Sequence, residues 1–534
     1  MMNKLIILVV FLFSLEAAAQ ESGKSNPNVE LPDFIITGKE VISVEQAKKI
    51  PPDFISTVSG NFIKPSLSPE KLELREFPDP LKKDMNLFDT LNYSNGWLDA
   101  GIGSYFLPTA NLIYSSPLGN GIFEGRASVL NQRAYVPNSD KYSIEGGATL
   151  YYFINSKSPA FNGTKLRLNG NLGAAGYKNY GAALENEIVN KKLNTGDFSF
   201  LINNLQNENF IYEFSFADRL ASLSNPDFSE NLFSFDGFAK AAFSAFNIKL
   251  NLNYKRQYIL NELQDNSEFY FINVRPTVGL NLSDILQADF GISYAEDGYH
   301  SFSAPYAAAA LRLGKNLVLY GEFAPSAEFL TENYFIRENP YFNVSSFTNL
   351  FFEKSNVLKA VLKYEYDRYF EIDGGVKYYV SDEIPYYKND IISGTFDLAT
   401  IGGSSTAGFV NMLFHLGPYG IFYGTAQYQT TKDDDGKFIP YYPEWTASLN
   451  YGYDFEMGLG VTTSLYYNSE TYADLINTQT LNSYIDLGLN FSYKLTPVFS
   501  ITLKMSNLLD NENFKWIRYK ELPLNITGGI KFTW

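Results

Sequence analysis

The chain has two histidines, His300 and His415, and no cysteine. Nucleophilic catalysis needs a base within reach of a nucleophile and a third group to orient that base. Neither histidine stands in a motif that supplies such a set. His300 closes the turn Asp297-Gly298-Tyr299-His300, and His415 precedes Leu416-Gly417-Pro418 at a strand end. Without thiols, thiolate metal sites, disulfides and an acylated N-terminal cysteine are excluded. Asp433-Asp434-Asp435-Gly436 offers hard oxygen ligands. It lacks the alternating ligands and distal Glu of a calcium loop, so it reads as a solvated acidic turn. The reading is therefore of a non-enzyme, with no catalytic residue, metal or cofactor assigned.

The remaining chemistry is electrostatic and aromatic. Lys165, Arg167, Lys249, Lys255, Lys359, Lys363, Lys494, Lys504 and Lys531 alternate with apolar neighbours at period two, and Glu365 and Asp486 share their face. That is nine basic residues against two acidic ones, in a chain of formal net charge −16. Rings of Lys and Arg lining a pore favour anions. The alternative is that carboxylates on strands of less regular phase, or in the N-terminal segment, pair with these cations. The acidic total argues against a nucleic-acid partner, which requires a basic face. The long stretch 325–356 carries Phe329, Tyr334, Phe335, Tyr341, Phe342 and Phe347. Of these, Tyr334, Phe335, Tyr341 and Phe342 are candidate outer-loop ligand contacts, since ligand contacts concentrate on loops. The same rings folded inward would instead pack together and close the mouth.

The elements that position these residues are strands. From Trp97 onward the chain reads as alternating segments of roughly ten residues separated by Gly, Pro, Asn, Asp and Ser turns. In 485–494, Ile485, Leu487, Leu489, Phe491 and Tyr493 alternate with Asp486, Gly488, Asn490, Ser492 and Lys494. The same pattern runs through 246–255, 499–506 and 524–534. Hydrophobic content is only 45% while aromatics reach 16%, which suits strands with one lipid face, one wet face and aromatic girdles. Connections alternate short (117–120, 281–284, 313–316, 454–457, 495–497) and long (176–195, 325–356, 388–404, 432–440, 470–480, 510–521). Short turns at one end and long loops at the other mark an all-β transmembrane antiparallel barrel, of roughly 22 strands by hairpin count. Such a barrel is too wide for wall side chains to fill, so its lumen must be plugged, covered or wet.

The N-terminus is of another kind. Lys4, the apolar run 5–15 and Ala17-Ala18-Ala19 form a secretory signal peptide over 1–19, which directs export to the bacterial outer membrane. Residues 20–96 are proline-rich and aperiodic, and are expected to form a periplasmic or lumenal segment ahead of a barrel over 97–534.

Two stretches resemble the TonB-dependent receptors. Leu31-Pro32-Asp33-Phe34-Ile35-Ile36-Thr37-Gly38 is similar to a TonB box, and Asn507-Leu508-Leu509-Asp510 resembles the element before that family's last strand. The resemblance implies that Asp33, Phe34, Ile35, Ile36, Thr37 and Gly38 bind a TonB-like periplasmic protein by β-augmentation. It implies an outer-membrane receptor or transport barrel, set in lipid, for a small-molecule or oligomeric substrate. Members of the family place a folded plug between box and barrel. Only 58 residues separate Gly38 from Trp97 here, and no plug-like pattern lies among them. The alternative is a non-transporting barrel that serves as a membrane anchor or as a subunit of an envelope assembly.

Overall fold

A strand that alternates apolar and polar residues must put its apolar face against something other than water, and in a closed barrel that something is lipid. The computed structural model describes residues 95–534 apart from 155, 157–160, 162, 205–208, 262–263, 367–369 and 416–419. The expected signal peptide and the TonB-box-like stretch lie outside the described residues. Within them the chain forms a closed antiparallel barrel of 22 strands. Each strand pairs with its sequence neighbours. The first, Gly96–Gly103, closes on the last, Asn525–Thr533, with Trp97 opposite Thr533 and Gly103 opposite Thr527.

The outward face is apolar, as the alternation requires. Ile248 and Leu250 on Phe246–Asn261, Phe290 and Ile292 on Leu286–Glu296, and Ile526 and Ile530 on the last strand are all exposed. Register carries this phase to Tyr484–Thr496. Phe491 lies opposite Leu503, which is exposed, and Ser492 lies opposite Thr502, which is buried. Turns at the end where the termini meet are tight, as between Phe106–Leu118 and Gly121–Gln132, where Gly119 takes φ +58°. That value lies in the left-handed region that glycine enters without strain.

Two expected loops turn out differently. The stretch 388–404 is mostly strand. Phe370–Asp390 and Thr395–His415, 21 residues each, pair almost to their ends and leave only 391–394 as the turn. A membrane-crossing strand needs about 9–11 residues, so this hairpin projects well beyond the bilayer. There its outward face meets water and the alternation that marks a strand in lipid is lost.

The stretch 325–356 contains a strand, Ser326–Thr331, a short helix, Glu332–Glu338, and the start of the long strand Asn349–Tyr366. The wall ladder between Leu317–Phe323 and residues 358–364 stops at Pro325, which has no N–H to donate. It resumes as 326–331 paired with 349–354. Opposite the break, Asn356 takes φ +51° and the register on Phe370–Asp390 slips between Ser355 and Leu358. Past this joint the hairpin bends into the lumen. Asn273 and Lys255, both on the inner wall, donate to the carbonyls of Ala327 (3.1 Å) and Phe329 (3.0 Å). Phe329 stacks on Phe271 with ring centroids 5.6 Å apart. Wall side chains thus satisfy the hairpin's free edge, which would otherwise bury unpaired carbonyls.

Candidate functional site

The lumen is lined by the inward half of each strand, and seven of the nine basic residues have specific partners there. Lys249 reaches Asp289 and Lys504 reaches Asp99, each at 2.5 Å, and Lys363 reaches Glu371 at 2.6 Å with Glu365 at 3.7 Å. Lys165 and Arg167 lie over the Tyr151 ring at 5.0 and 5.7 Å, and Lys531 lies over Trp97 at 5.0 Å. Lys255 holds the inward hairpin, and Lys494 is exposed at the end of its strand. Asp486 accepts the backbone N–H of Asn507 at 2.8 Å. Asp99, Asp289 and Glu371 stand on strands whose phase the sequence left unread, so for three of the nine cations the wall supplies its own counter-charge. Each of these pairs is a charge-assisted hydrogen bond; Lys363 and Glu371 join neighbouring strands, while Lys249–Asp289 and Lys504–Asp99 each reach across one intervening strand.

A cavity of about 700 Å³ lies against this wall beneath the hairpin. Glu213 and Asp236 line one side, Arg275, Lys359 and Lys377 the other, and Glu322 stands among the bases. Lys359 is the member of the nine that faces this space.

Above the hairpin the outer mouth is packed. Phe335, Phe342, Tyr387, Phe396, Trp516 and Tyr519 form one buried cluster with Leu223, Phe228, Ile259, Ile336, Val344 and Leu398. It draws on the hairpin, on three wall strands, on the 370–415 hairpin and on the stretch between the last two strands. Trp516 meets Tyr441, Tyr387 and Phe396 at centroid distances of 4.8, 4.9 and 5.3 Å. Tyr341 stacks on Tyr519 at 3.5 Å. Burial pushes both phenols well above their ordinary value, which keeps them neutral.

Hydrogen bonds tie the loops to one another. Tyr519 donates to Gly394 O (2.5 Å), Arg518 Nε to Gly181 O (2.5 Å), Asn179 to Ser393 O (2.6 Å) and Tyr177 to Pro340 O (2.7 Å). Of the four candidate ligand contacts, Phe335 and Phe342 are buried inside this dome, Tyr341 is half-buried on it, and Tyr334 is exposed.

The other singled-out residues do not join these groups. His300 is exposed, with Nδ1 3.1 Å from Asp297 Oδ2 and its ring stacked on Phe351. His415 ends a strand opposite Ile421. In the acidic turn Asp433 accepts the Lys437 N–H at 2.7 Å, closing the turn on itself. No group of three or more His, Asp or Glu residues that could hold a metal occurs among the described residues. In 507–510, Asn507 (φ +47°) donates to Asn511 O and Leu522 O, while Asp510 (φ +49°) accepts Leu524 N–H. This element clamps both ends of the loop that delivers Trp516 and Tyr519. Sequence reading missed those two rings, and also Glu230, Gln257 and Glu332 beneath the dome. The only available signal was aromatic residues in a long Asn/Glu-rich loop.

No protein-family model matches the chain, and no curated protein matches it in sequence. Solved structures do match. The closed form of the ferric-catecholate import receptor Fiu of E. coli K12 superposes with a TM-score of 0.61 at 11% identity, over 83% of this chain and 82% of that one. The FrpB iron transporter of Neisseria meningitidis gives 0.61 at 8% identity, over 84% and 83%. The copper transporter OprC gives 0.59 at 9% identity, over 83% and 81%. The fold is that of the TonB-dependent receptor barrels. At these identities the likeness is one of backbone, and no residue role passes with it. A TonB-dependent receptor barrel of this strand number encloses a lumen wider than its own side chains fill. In this chain an inward hairpin and an aromatic dome occupy the outer part of that space.

Proposed function

We propose that the chain is an outer-membrane receptor that takes up a small-molecule or oligomeric substrate through its lumen. One observation carries this reading: the 22-strand barrel has a polar cavity inside and a closed, loop-built outer mouth, the arrangement a gated passage requires. Neighbours in fold named for ferric-catecholate, iron and copper support uptake as the class of function. Energy for opening would come from the periplasmic side, with 33–38 added as a strand to a TonB-like partner. A barrel that only anchors an envelope assembly would need no interior cavity and no movable mouth.

The coupling step has a direct test. Full-length protein in outer-membrane extracts should be captured by an immobilised TonB periplasmic domain. Ile35→Pro, which removes a backbone donor from the added strand, should abolish capture. Capture that survives the substitution, or no capture of the native chain, would leave the anchor as the better reading.

A further inference from the structure

Where the inward helix meets the wall, two carboxyl groups are buried side by side. Glu332 opens the helix Glu332–Glu338, Glu230 projects from the strand Phe228–Ala242, and each is 1% exposed. The Gln257 side-chain amide donates to Glu332 Oε2 at 2.9 Å, and the Asn333 backbone N–H donates to Glu230 Oε2 at 2.7 Å. Glu230 Oε1 is buried with no hydrogen-bond partner.

Arg337 is close enough to act on Glu230, but the hydrogen bonds of the charged groups packed around the pair go elsewhere. Arg337, on the same helix, holds Asp197 at 2.9 and 3.0 Å and Asn333 Oδ1 at 2.7 Å, and Asp197 also has Arg219 at 4.0 Å. Lys255, on the strand that supplies Gln257, is bound to Phe329 O. Lys354 on the returning strand holds Glu328 at 2.6 Å, and Glu338 accepts from Tyr387. Among the described residues no cation lies within ion-pair distance of Glu230 or Glu332. Two carboxylates adjacent in a dry site cannot both ionise, because each charge is costly to bury and each raises the cost of the other.

We propose that the inward hairpin is held in the lumen by protonation of the buried Glu230–Glu332 pair, so that closure of the outer mouth depends on pH. Burial, with Glu230 beside it, pushes Glu332 up to about 10. When the hairpin leaves its seat the same carboxyl enters water, where its ordinary value is 4.5. Glu230 is raised by burial as well, so the seated state binds at least one more proton than the released state between these two values. Seating has its full strength below the lower value and loses it steadily as pH rises toward the upper one. With one linked proton, the ratio of released to seated hairpin grows about tenfold per pH unit. Acid latches the mouth, and alkali loosens it. This device goes beyond the uptake reading and stands whatever substrate the lumen carries.

The chain has no cysteine, so a spin-label pair at Tyr334→Cys on the hairpin and Tyr299→Cys on an outer turn is unambiguous. Electron-electron distances are measured on the full chain, refolded into lipid vesicles, at pH 5.5, 7 and 8.5. The released population should rise relative to the seated one by at least about tenfold per unit. Glu332→Gln and, separately, Glu230→Gln should each keep the hairpin seated across the range, since a neutral amide needs no proton. A native distance distribution that ignores pH overturns the proposal. So does a pH slope that persists in both glutamine variants. Closure driven by added calcium and reversed by EDTA also overturns it, since a cation would then hold the two carboxylates.

Discussion

With residues 21–95 deleted, the refolded barrel should still conduct poorly, and Phe396→Ala with Trp516→Ala in that background should convert it into an open pore. The expectation rests on where the seal lies. Phe396 is fully buried at the centre of the dome, in ring contact with Tyr387, Tyr441, Trp516 and Tyr519. Truncating a buried aromatic of this kind costs about 3–5 kcal/mol. Here the loss falls on packing between loops from different hairpins, so the loops should part while the wall ladder stays intact. Single-channel conductance reads the difference, and heat-modifiable gel mobility checks that the barrel has folded. If deletion alone gives the large conductance, the N-terminal segment is the seal and the dome is a loose cover.

A second large effect separates the two faces of one strand. Phe491→Arg should lower barrel stability by about 2–4 kcal/mol, the cost of a basic side chain on the lipid face near the membrane midplane. Ser492→Arg, one residue on, should cost far less, because it turns toward the wet lumen. Phe491 shares its face with Leu503 and Tyr493, both exposed, while Ser492 pairs with Thr502 on the inner side. Equilibrium urea unfolding in vesicles measures both. Equal losses would mean that Tyr484–Thr496 runs in another register.

Those two residues also show why the wall was readable. Lipid and water impose opposite demands at each step of the strand, so Ile485 to Lys494 writes its orientation into its own sequence. The hairpin at 326–354 obeys no such rule. Inside the barrel both of its faces are covered, Phe329 by Phe271 on one side and Leu350 by a second cluster on the other. Residues 388–404 failed for a different reason: one face of this projecting hairpin packs into the dome through Phe396 and Leu398, while the other meets water rather than lipid and carries no apolar stripe. The inward lysines were legible on their own strands, but their partners Asp99, Asp289 and Glu371 were not. Pairing is a property of two strands, and only one of each pair alternates cleanly enough to phase. Glu230 and Glu332 were invisible as a unit. They lie about a hundred positions apart in the chain, and their meeting depends on a break at Pro325 that sends the hairpin inward.

The seam between Gly96–Gly103 and Asn525–Thr533 sets the order of assembly. Ser104 and Ile526, hydrogen-bonded across that seam, are 422 positions apart. Every other wall strand finds its partner among its sequence neighbours, so hairpins can form as the polypeptide is delivered. The seam has to wait for the final strand. Until then the nascent sheet carries two unpaired edges, each a template for misassociation with another copy, and the loop entropy of closing so long a chain must be met in one step. An open sheet awaiting that strand would be the vulnerable stage of insertion, and the insertion rate should depend on how soon Asn525–Thr533 reaches the first strand.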